Sequence, residues 1–433
     1  MAVQADTIEW NWAGNYSYGA TTIHQPTTLE ELRTLVAGAA KVRALGSRHS
    51  FNSLADTDGV LVNLSALAPD IRVDAAQSTV TVSAGTTYGI LAAELKRQGY
   101  ALHNLASLPH ISIAGAIATA THGSGDGNGN LATAVVALQF MDAAGELHNV
   151  TRQRTPDFAA YVVGLGLLGI VTEVTLQIEA DFKVAQHVYT ELPWDAVLAH
   201  FDEVTSRAYS VSLFTDWRGD TVGQVWFKQR LEDGRTGDYP ASFLGGTAAT
   251  FEMHPLPGVS AVNCTPQLGI AGQGSDRLSH FRMDFLPSSG NEIQSEYLLP
   301  REHAVAAINA MRELSATISP LLLVAEIRTI AADDLWLSPN YGRDGIGLHF
   351  TWRLHPEGVQ AVLPLIEEAL APFAARPHWG KVFAADAVTV VPLYPKLADF
   401  LALAVSLDPG GKFRNDFLDR TIFGGSAGTH ERK

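Results

Sequence analysis

The chain has 433 residues, of which 46% are hydrophobic and 17% charged, and its formal net charge is −15 at pH 7. At roughly 150 residues per domain, this length predicts about two or three domains that each bury a core, which excludes small scaffolds held by disulfides. The excess of negative charge repels phosphate backbones and anionic lipid surfaces, so nucleic acid and acidic membranes are excluded as expected partners.

Cysteine content and the N-terminal sequence address the cellular compartment. Cys264 is the only cysteine, so no intramolecular disulfide and no cysteine-based zinc site can form, and a reducing compartment fits. We interpret it as a buried thiol without a function. The N-terminal sequence lacks a basic segment followed by an apolar one, and no run reaches the roughly 18 apolar residues of a membrane span. The sequence predicts a soluble, cytoplasmic protein, which we expect to be a monomer.

Residues 1–180 mix short strands with helices. A helix is predicted in PTTLEELRTLVAGAA, with Pro26 and Thr27 at its start, followed by strands KVRAL and VLVNLS. STVTVSAGTT alternates as a strand does, and the helical spacing of YGILAAELKRQGYAL ends near Gly99. AVVALQFMDAAGELHNVT predicts a hairpin around the DAAG turn. This pattern predicts an α+β domain without a regular βαβ repeat.

Residues 181–387 contain longer predicted strands than residues 1–180, and we predict that they form a second domain. Long strands are predicted in YSVSLFTDW, TVGQVWFKQR, LLLVAEIRTIA and GIGLHFTWRL, and helices in REHAVAAINAMRELSATI and PEGVQAVLPLIEEALAPFAA. Their alternation is typical of ferredoxin-like sandwiches. From residue 388 to 433 the sequence predicts a helix broken by Pro409, a return to the first domain, and a loose end after Phe423.

Some short patterns match known motifs without the context that the motifs need. Gly164, Gly166 and Gly169 satisfy G-x-G-x-x-G, but a strand rather than a helix is predicted to follow, so a Rossmann site is not expected. Ser426 satisfies G-x-S-x-G in the polar tail, where no strand–turn–helix supports a nucleophile. The histidines show no metal-ligand spacing, and we predict no metal site.

Two stretches rich in small residues suggest a dinucleotide. In VRALGSRHSFN, residues 42–52, a strand runs into a loop whose backbone N–H groups can cradle an anion, with Arg48 nearby. Residues 104–125, NLASLPHISIAGAIATATHGSG, are dominated by Ser, Thr, Gly and Ala. Small side chains let backbone approach a flat, phosphate-bearing ligand, and two such loops in one domain match a ligand with two phosphates.

These residues resemble a known family. The loop around His49, the THGSG run and the terminal DPGGKFRNDF resemble vanillyl-alcohol-oxidase-type flavoproteins, two-domain α+β proteins whose FAD domain is not a Rossmann fold and whose cap is ferredoxin-like. Within that family the chain is similar to the alditol (xylitol) oxidases over nearly its whole length. LFTDW, PGVSAVNC, SSGNEIQSEYLLPREHA, EIRT, LSPNYGRD, HFTW and ARPHWGKVF together carry this likeness.

The resemblance implies FAD as the cofactor, held covalently through His49. From the sequence alone, a loop histidine that only forms hydrogen bonds is the simpler interpretation. The other residues that the resemblance places around FAD are Gly46, Ser47, Arg48, Ser50, Ser107, Ser112, Gly115, Thr119, Ala120, Thr121 and His122, with Ile170 contributing its backbone.

Polar pairs on two apolar strands suggest where the substrate binds. Glu326 and Arg328 lie at i and i+2, so their side chains share one face of a strand, and His349 and Thr351 repeat that spacing. A buried acid beside a base is costly unless it is paired or used. An ion pair at the domain boundary and a hydrogen-bonded core histidine are the structural alternatives. Lys381 follows a Pro/Trp/Gly break, and an exposed lysine is its alternative.

The resemblance also implies roles for these residues. Arg328 and Lys381 would polarise the reacting hydroxyl, Glu326 and Ser107 would hold the neighbouring hydroxyl, and His349 and Thr351 would bind hydroxyls farther along. Arg328, Lys381 and Glu326 are thus the predicted catalytic residues. A site that binds each hydroxyl rejects analogues without it, so simple alkanols should be poor substrates.

The predicted function is oxidation of the terminal primary alcohol of a polyol to the aldose, with reduction of O₂ to H₂O₂. One alternative is a sugar-lactone oxidase or dehydrogenase, because the Glu/Arg pair and HWGK resemble that group too. The other is a flavin-binding protein without catalysis, in which these side chains only pack. Ala106 is small enough to leave O₂ a path to the flavin, which favours an oxidase without deciding the matter.

Overall fold

The structure is a computed structural model that describes residues 2–4, 9–67, 70–231, 237–285 and 291–424. Ser426 and the predicted loose end, apart from Gly424, lie outside the described residues. Helices and strands are mixed throughout, which confirms the predicted α+β class.

The N-terminal part, up to Ala180, holds three sheets. Its strands are β1 (Ala2–Gln4), β2 (Thr22–His24), β3 (Val42–Ala44), β4 (Val60–Val62), β5 (Ile71–Asp74), β6 (Thr79–Ser83), β7 (Tyr100–Ala101), β8 (Val135–Met141), β9 (Leu147–Thr151), β10 (Ile170–Gln177) and β11 (Glu179–Ala180). Its helices are α1 (Leu29–Gly38), α2 (Tyr88–Arg97), α3 (Ile113–Ala118) and α4 (Ala159–Val162). The strand orders are β1-β2-β4-β3, β5-β6-β10-β8-β9 and β11-β7 among the described residues.

Most local predictions for this part are confirmed. Strands β8 and β9 pair antiparallel on either side of the DAAG turn, and α2 ends just before Gly99, whose φ is +81°. The predicted start of α1 was wrong, because the helix begins at Leu29 and not at Pro26. Thr28 is its N-cap because its hydroxyl accepts from the backbone N–H of Glu31.

The central part, residues 181–387, is built on one large sheet. Its strands are β12 (Lys183–Pro193), β13 (Ser210–Thr215), β14 (Thr221–Arg230), β15 (Ser242–Phe243), β16 (Gly246–Ala248), β17 (Gly272–Gln273), β18 (Glu292–Pro300), β19 (Leu322–Ile330), β20 (Gly345–Arg353) and β21 (Arg376–Pro377). Its helices are α5 (Trp194–Ala199), α6 (Phe201–Ser206), α7 (Ala304–Glu313), α8 (Ser315–Ile318) and α9 (Pro356–Leu370). The long strands lie in the order β12-β14-β13-β19-β20-β18, and the antiparallel β13–β19 pair joins the two halves of the sheet.

The C-terminal segment contains α10 (Ala387–Val390), α11 (Leu397–Leu407) and α12 (Asp416–Leu418), and it contacts the N-terminal part. The backbone N–H of Val42 donates to the carbonyl oxygen of Lys412 at 3.1 Å. The Asn415 amide donates to the carbonyl oxygens of Leu54 and Asp56 at 3.0 and 2.7 Å. These contacts support the predicted return of this segment to the first domain.

Two further sequence predictions concern the chain as a whole. Cys264 is buried, as predicted, and burial raises the pKa of its thiol to about 12. Among the described residues, no single helix is long and apolar enough to span a bilayer. The helical segments Ala387–Leu393 and Leu397–Leu407 reach that length and composition only together, and they are bent by 105°.

Candidate functional site

A cavity of about 560 Å³ lies between the loops of the N-terminal part and the large sheet. This volume is within the usual range for small-molecule sites. The residues predicted at the cofactor that line it are Gly46, Ser47, Arg48, His49, Ser50, Ser107, Ser112, Gly115, Thr119, Thr121 and His122. The predicted substrate residues Glu326, Arg328, His349, Thr351 and Lys381 line it as well.

The two loops rich in small residues lock onto each other. The backbone N–H of Ser112 donates to the hydroxyl of Ser47 at 2.9 Å, and the backbone N–H of Ser47 donates to the hydroxyl of Ser112 at 3.3 Å. A Cβ at Gly46 would lie 2.5 Å from the Ser112 hydroxyl, so this contact needs glycine. The Arg48 guanidinium, expected near an anion, forms an ion pair with Glu9.

His49 lines the cavity; the residue is half-buried, and both of its ring nitrogens are buried. Its ring stacks on Trp12, with centroids 5.1 Å apart and an interplanar angle of 21°. Neither ring nitrogen makes a hydrogen bond of normal geometry with the described residues, and burial lowers the pKa of His49 to about 4. The imidazole is therefore neutral at pH 7, with nitrogens that hydrogen bonds do not occupy.

Two predicted cofactor residues do not line the cavity. Ala120 is buried, with a φ of +53°. Ile170 is fully buried and packs in a small core with Val42 and Phe413, while its neighbours Gly169 and Val171 reach the cavity. Any contribution of Ile170 therefore comes from its backbone.

The glycines at 164, 166 and 169 line the cavity, which sequence reasoning missed. The strand β10 follows them, as predicted, in the place where a Rossmann loop would open a helix. Gly166 and Gly169 adopt φ values of +70° and +141°, and a Cβ at Gly169 would lie 2.3 Å from the Met141 carbonyl oxygen. The sequence signal that could have identified these glycines as cavity residues was a glycine-rich turn directly before a strand.

These features fit the FAD that the resemblance implies. The cavity wall is formed by backbone at glycines, where a flat ligand can approach closely. The buried, unoccupied nitrogens of His49 match a residue that bonds to the cofactor. No group of three or more His, Cys, Asp or Glu side chains within the described ranges is arranged to hold a metal.

Three adjacent strands place the predicted substrate residues of the sheet on one face. Glu326 on β19 lies opposite His349 on β20, and His349 lies opposite Glu296 on β18. Arg328 and Thr351 follow two positions after Glu326 and His349, so they share the same face. Sheet register thus brings together the two polar pairs that the sequence predicted.

Glu296 lies at the β18 end of this row across the sheet, and the sequence patterns did not predict it. Its side chain is fully buried, and its carboxylate lies 2.8 Å from Arg328 Nη2, 2.5 Å from Lys381 Nζ and 3.1 Å from His122 Nε2. Burial alone would raise the pKa of Glu296, but Lys381, His122 and Arg328 hold it well below its ordinary value. Glu296 is therefore an anion that binds the two cations of the site.

The contacts of Lys381 determine the protonation of its neighbours. Its ammonium donates to Glu296 and, at 2.7 Å, to Nδ1 of His349. Because Nδ1 accepts, Nε2 carries the proton of the neutral imidazole and donates to the Thr351 hydroxyl at 3.0 Å. Burial, reinforced by Lys381, lowers the pKa of His349 to about 4. The Thr351 proton is then available to a ligand.

The loop that carries Lys381 is attached to the loop that carries the predicted tether. The Asn52 amide donates to the carbonyl oxygens of Trp379 and Lys381 at 2.9 and 2.7 Å. The backbone N–H of Phe51 donates to the carbonyl oxygen of Gly380 at 2.8 Å. Hydrogen bonds thus fix the backbone at Lys381 relative to the loop that carries His49.

Glu326 has a separate partner, His280, whose Nε2 donates to its carboxylate at 2.8 Å. Arg328 Nε lies 3.6 Å from the same oxygen. Burial would raise the pKa of Glu326, but Arg328 and His280 hold it below its ordinary value. Glu326 therefore reaches the cavity as a hydrogen-bond acceptor.

Comparison with known proteins places these observations in a family. A family described as FAD binding domain matches residues 20–151, and one described as D-arabinono-1,4-lactone oxidase matches residues 280–421. Over 415 residues the chain is 47% identical to an alditol oxidase from Streptomyces sp., covering 95% of this chain and 98% of the relative. The chain belongs to the alditol oxidase family. It is an oxidoreductase of the vanillyl-alcohol-oxidase type, and its cofactor is FAD.

Two further matches of this alditol oxidase family member have lower sequence identity. An L-gulono-1,4-lactone dehydrogenase from Mycobacterium tuberculosis is 30% identical over 434 residues, covering 95% of this chain and 98% of the relative. The crystal structure of a cholesterol oxidase from B. sterolicum superposes with a TM-score of 0.76 at 17% identity, covering 95% of this chain and 96% of that one. The latter likeness supports the fold alone.

Proposed function

We propose that this protein is an alditol oxidase, which converts the terminal primary alcohol of a polyol such as xylitol or sorbitol to the aldose. The alcohol loses two hydrogens and O₂ becomes H₂O₂. The observation that carries the proposal is the row of hydrogen-bonding groups from Glu326 through His349 to Lys381 along one cavity wall, in a chain 47% identical to an alditol oxidase.

When bound, FAD would supply the acceptor for the hydride that leaves the alcohol carbon, and O₂ would take up the electrons. Arg328 and Lys381 donate hydrogen bonds to the oxygen of the reacting hydroxyl and stabilise the negative charge that develops there. Glu296 holds both cations in place and keeps them charged. The site therefore presents positive charge to one oxygen without a net excess in the cavity.

The remaining polar groups bind the other hydroxyls of the polyol. The Glu326 carboxylate and the Ser107 hydroxyl bind the hydroxyl next to the reacting carbon, and both line the cavity. The neutral His349 directs the Thr351 hydroxyl, which donates to an oxygen farther along the chain. A ligand without these hydroxyls leaves buried polar groups unpaired, which explains why alkanols should be poor substrates.

The His49 side chain is the proposed covalent tether to the 8α-methyl group of FAD. Its buried, unoccupied nitrogens and its stacking on Trp12 support this assignment. Acid-precipitated wild-type protein should stay yellow, whereas precipitated His49→Ala protein should release its FAD or contain none. Release of FAD from the wild-type precipitate would refute the covalent bond between His49 and FAD.

A sugar-lactone substrate is the second candidate. The lactone oxidase family match at residues 280–421 and the 30% identity to a lactone dehydrogenase favour it. Peroxide production over a series of polyols, with an aldonolactone beside them, separates the candidates. We expect turnover with xylitol or sorbitol that exceeds turnover with the lactone, and the reverse order would refute the proposal.

We further propose that the enzyme is a cytoplasmic monomer, in which residues 1–180 and 388–433 form the FAD domain and residues 181–387 the substrate domain. The contacts of Asn415 with the loop at Leu54 support this division, and the single cysteine fits the compartment. Light scattering coupled to size-exclusion chromatography tests the monomer, with a particle of twice the 46.4 kDa chain mass as the contrary result.

A further inference from the structure

Lys228 is a buried lysine that the reaction described above does not use. It lies on β14 with 1% of its surface exposed, and its ammonium donates to the carbonyl oxygens of Arg277, Leu278 and Ser279 at 2.8, 2.6 and 2.8 Å. The three N–H groups of one ammonium thus donate to three consecutive backbone carbonyl oxygens. Burying a charge costs free energy, so we expect this lysine to have a structural role.

The chain that Lys228 fixes leads directly into the substrate site. His280 comes next, and its Nε2 donates to the Glu326 carboxylate at 2.8 Å. The backbone N–H groups of His280 and Phe281 both lie within hydrogen-bond distance of the carbonyl oxygen of Ser107, at 3.2 and 3.3 Å. Residues 277–281 therefore contact the Glu326 carboxylate and the backbone of Ser107, the two residues that are proposed to bind the hydroxyl next to the reacting carbon.

The packing around His280 leaves little freedom for another arrangement. Its ring makes edge contacts with Phe214 and Trp226, whose centroids lie 5.5 and 5.3 Å away. Trp226 precedes Lys228 by two positions on β14, so both side chains lie on the same face of that strand. One face of β14 thus supports the imidazole and the segment before it.

We infer that Lys228 is a positioning residue for recognition of the hydroxyl adjacent to the reacting carbon. It fixes residues 277–281, so that His280 orients Glu326 and the two backbone N–H groups orient the Ser107 backbone. Lys228 does not touch the substrate. This inference rests on the proposed function and extends it to the groups that select a vicinal hydroxyl.

Glycerol and 1,3-propanediol provide the test, because they differ only in the hydroxyl at C2. The measured quantity is the ratio of kcat/KM for glycerol to kcat/KM for 1,3-propanediol. In Lys228→Met, which keeps the side-chain length without the charge, we expect this ratio to fall at least about tenfold from the wild-type value. A loss of stability alone lowers both kcat/KM values together and leaves the ratio unchanged.

Gln229→Met is the matched control. Gln229 is the next residue on β14, and its side chain lies on the other face, where it accepts from the Tyr239 hydroxyl at 3.2 Å. We expect the wild-type ratio in this variant. An unchanged ratio in Lys228→Met, or an equal fall in Gln229→Met, would overturn the positioning role.

His280→Phe is the second variant and decides the question if Lys228→Met does not fold. It preserves ring packing against Phe214 and Trp226 but removes the donor to Glu326. The ratio should fall as it does in Lys228→Met. The two effects should not add in the double variant, because both substitutions disturb the same contact between His280 and Glu326. A wild-type ratio in His280→Phe overturns the inference alone, whereas wild-type protein that oxidises no polyol overturns the proposed function as well.

Discussion

At the scale of single residues, the cavity joins two carboxylates to two cations. Glu296 and Glu326 balance Arg328 and Lys381, and His349, whose pKa burial lowers to about 4, adds no charge at pH 7. Each charge is buried with its partner, which avoids the large cost of an unpaired ion. A neutral polyol can enter this site without bringing a counter-ion.

Lys381→Met removes the ammonium while it keeps the length of the side chain. We expect a folded, yellow protein whose kcat/KM for xylitol is about 10²–10³-fold lower, since loss of one group that stabilises developing oxyanion charge typically has that effect. Peroxide production measures it. Lys396→Met, at an exposed lysine that pairs with Asp399, is the control. Turnover near the wild-type level in Lys381→Met would contradict the assigned role.

Glu296→Gln keeps the shape of the side chain and removes its charge. Burial already lowers the pKa of Lys381, and the Glu296 carboxylate opposes that shift. Without the carboxylate the ammonium loses its proton at lower pH, so the alkaline limb of the kcat/KM profile should move to lower pH by at least about one unit.

The control for this pH profile is Glu367→Gln. Glu367 is a half-buried carboxylate that accepts from the Tyr297 hydroxyl at 2.8 Å and does not line the cavity. Its alkaline limb should coincide with that of the wild type. If Glu296→Gln shows the same coincidence, then Glu296 does not hold the proton on Lys381.

At the scale of elements, the sequence patterns predicted the features that depend on residues close to one another in the sequence. The β8–β9 hairpin was predicted because its turn is self-contained: the Asp142 carboxylate accepts from the backbone N–H groups of Ala144 and Glu146 at 2.9 and 3.0 Å. The i, i+2 pairs on β19 and β20 were found for the same reason, since strand alternation acts within one strand.

Glu296 was missed because its role depends on register between strands. Its partners Arg328 and Lys381 are 32 and 85 positions away in the sequence, and periodicity carries no information about which strands become neighbours. The signal was present, since Glu292, Gln294 and Glu296 stand at every second position of β18 and so share one face of the strand. Paired polar positions on several strands are therefore worth collecting as one candidate site.

The link between the two cavity loops predicts an effect of Asn52. Asn52→Ala removes two hydrogen bonds to the loop at Trp379 and Lys381. We expect the free energy of unfolding to fall by about 1–3 kcal/mol, and kcat/KM for xylitol to fall roughly tenfold to a hundredfold as Lys381 loses its fixed position. Denaturant unfolding and steady-state kinetics measure the two effects.

Asn149→Ala is the matched control for this loop contact. The Asn149 side chain is exposed on β9 and accepts from the Gln139 amide at 3.1 Å, so neither stability nor turnover should change noticeably. Lower stability of Asn52→Ala with wild-type kcat/KM would mean that the contact holds the fold together without positioning the ammonium.

At the scale of the whole molecule, the chain closes around the cavity from both ends. The N-terminal loops supply one wall of the cavity, the large sheet supplies the polar row, and the C-terminal segment contacts the loop that ends at Asp56. The net charge of −15 disfavours polyanionic partners but says little about the ligand. The proposed substrate site is built from paired charges that suit a neutral molecule.

The central claim is that a polyol reduces the flavin of this protein. The most direct test mixes the oxidised holoprotein anaerobically with xylitol, and separately with an aldonolactone, while the visible absorbance of the flavin is recorded. We predict rapid and complete bleaching by xylitol, with little or slow bleaching by the lactone. Bleaching by the lactone alone, with the flavin unchanged by xylitol, would contradict the account.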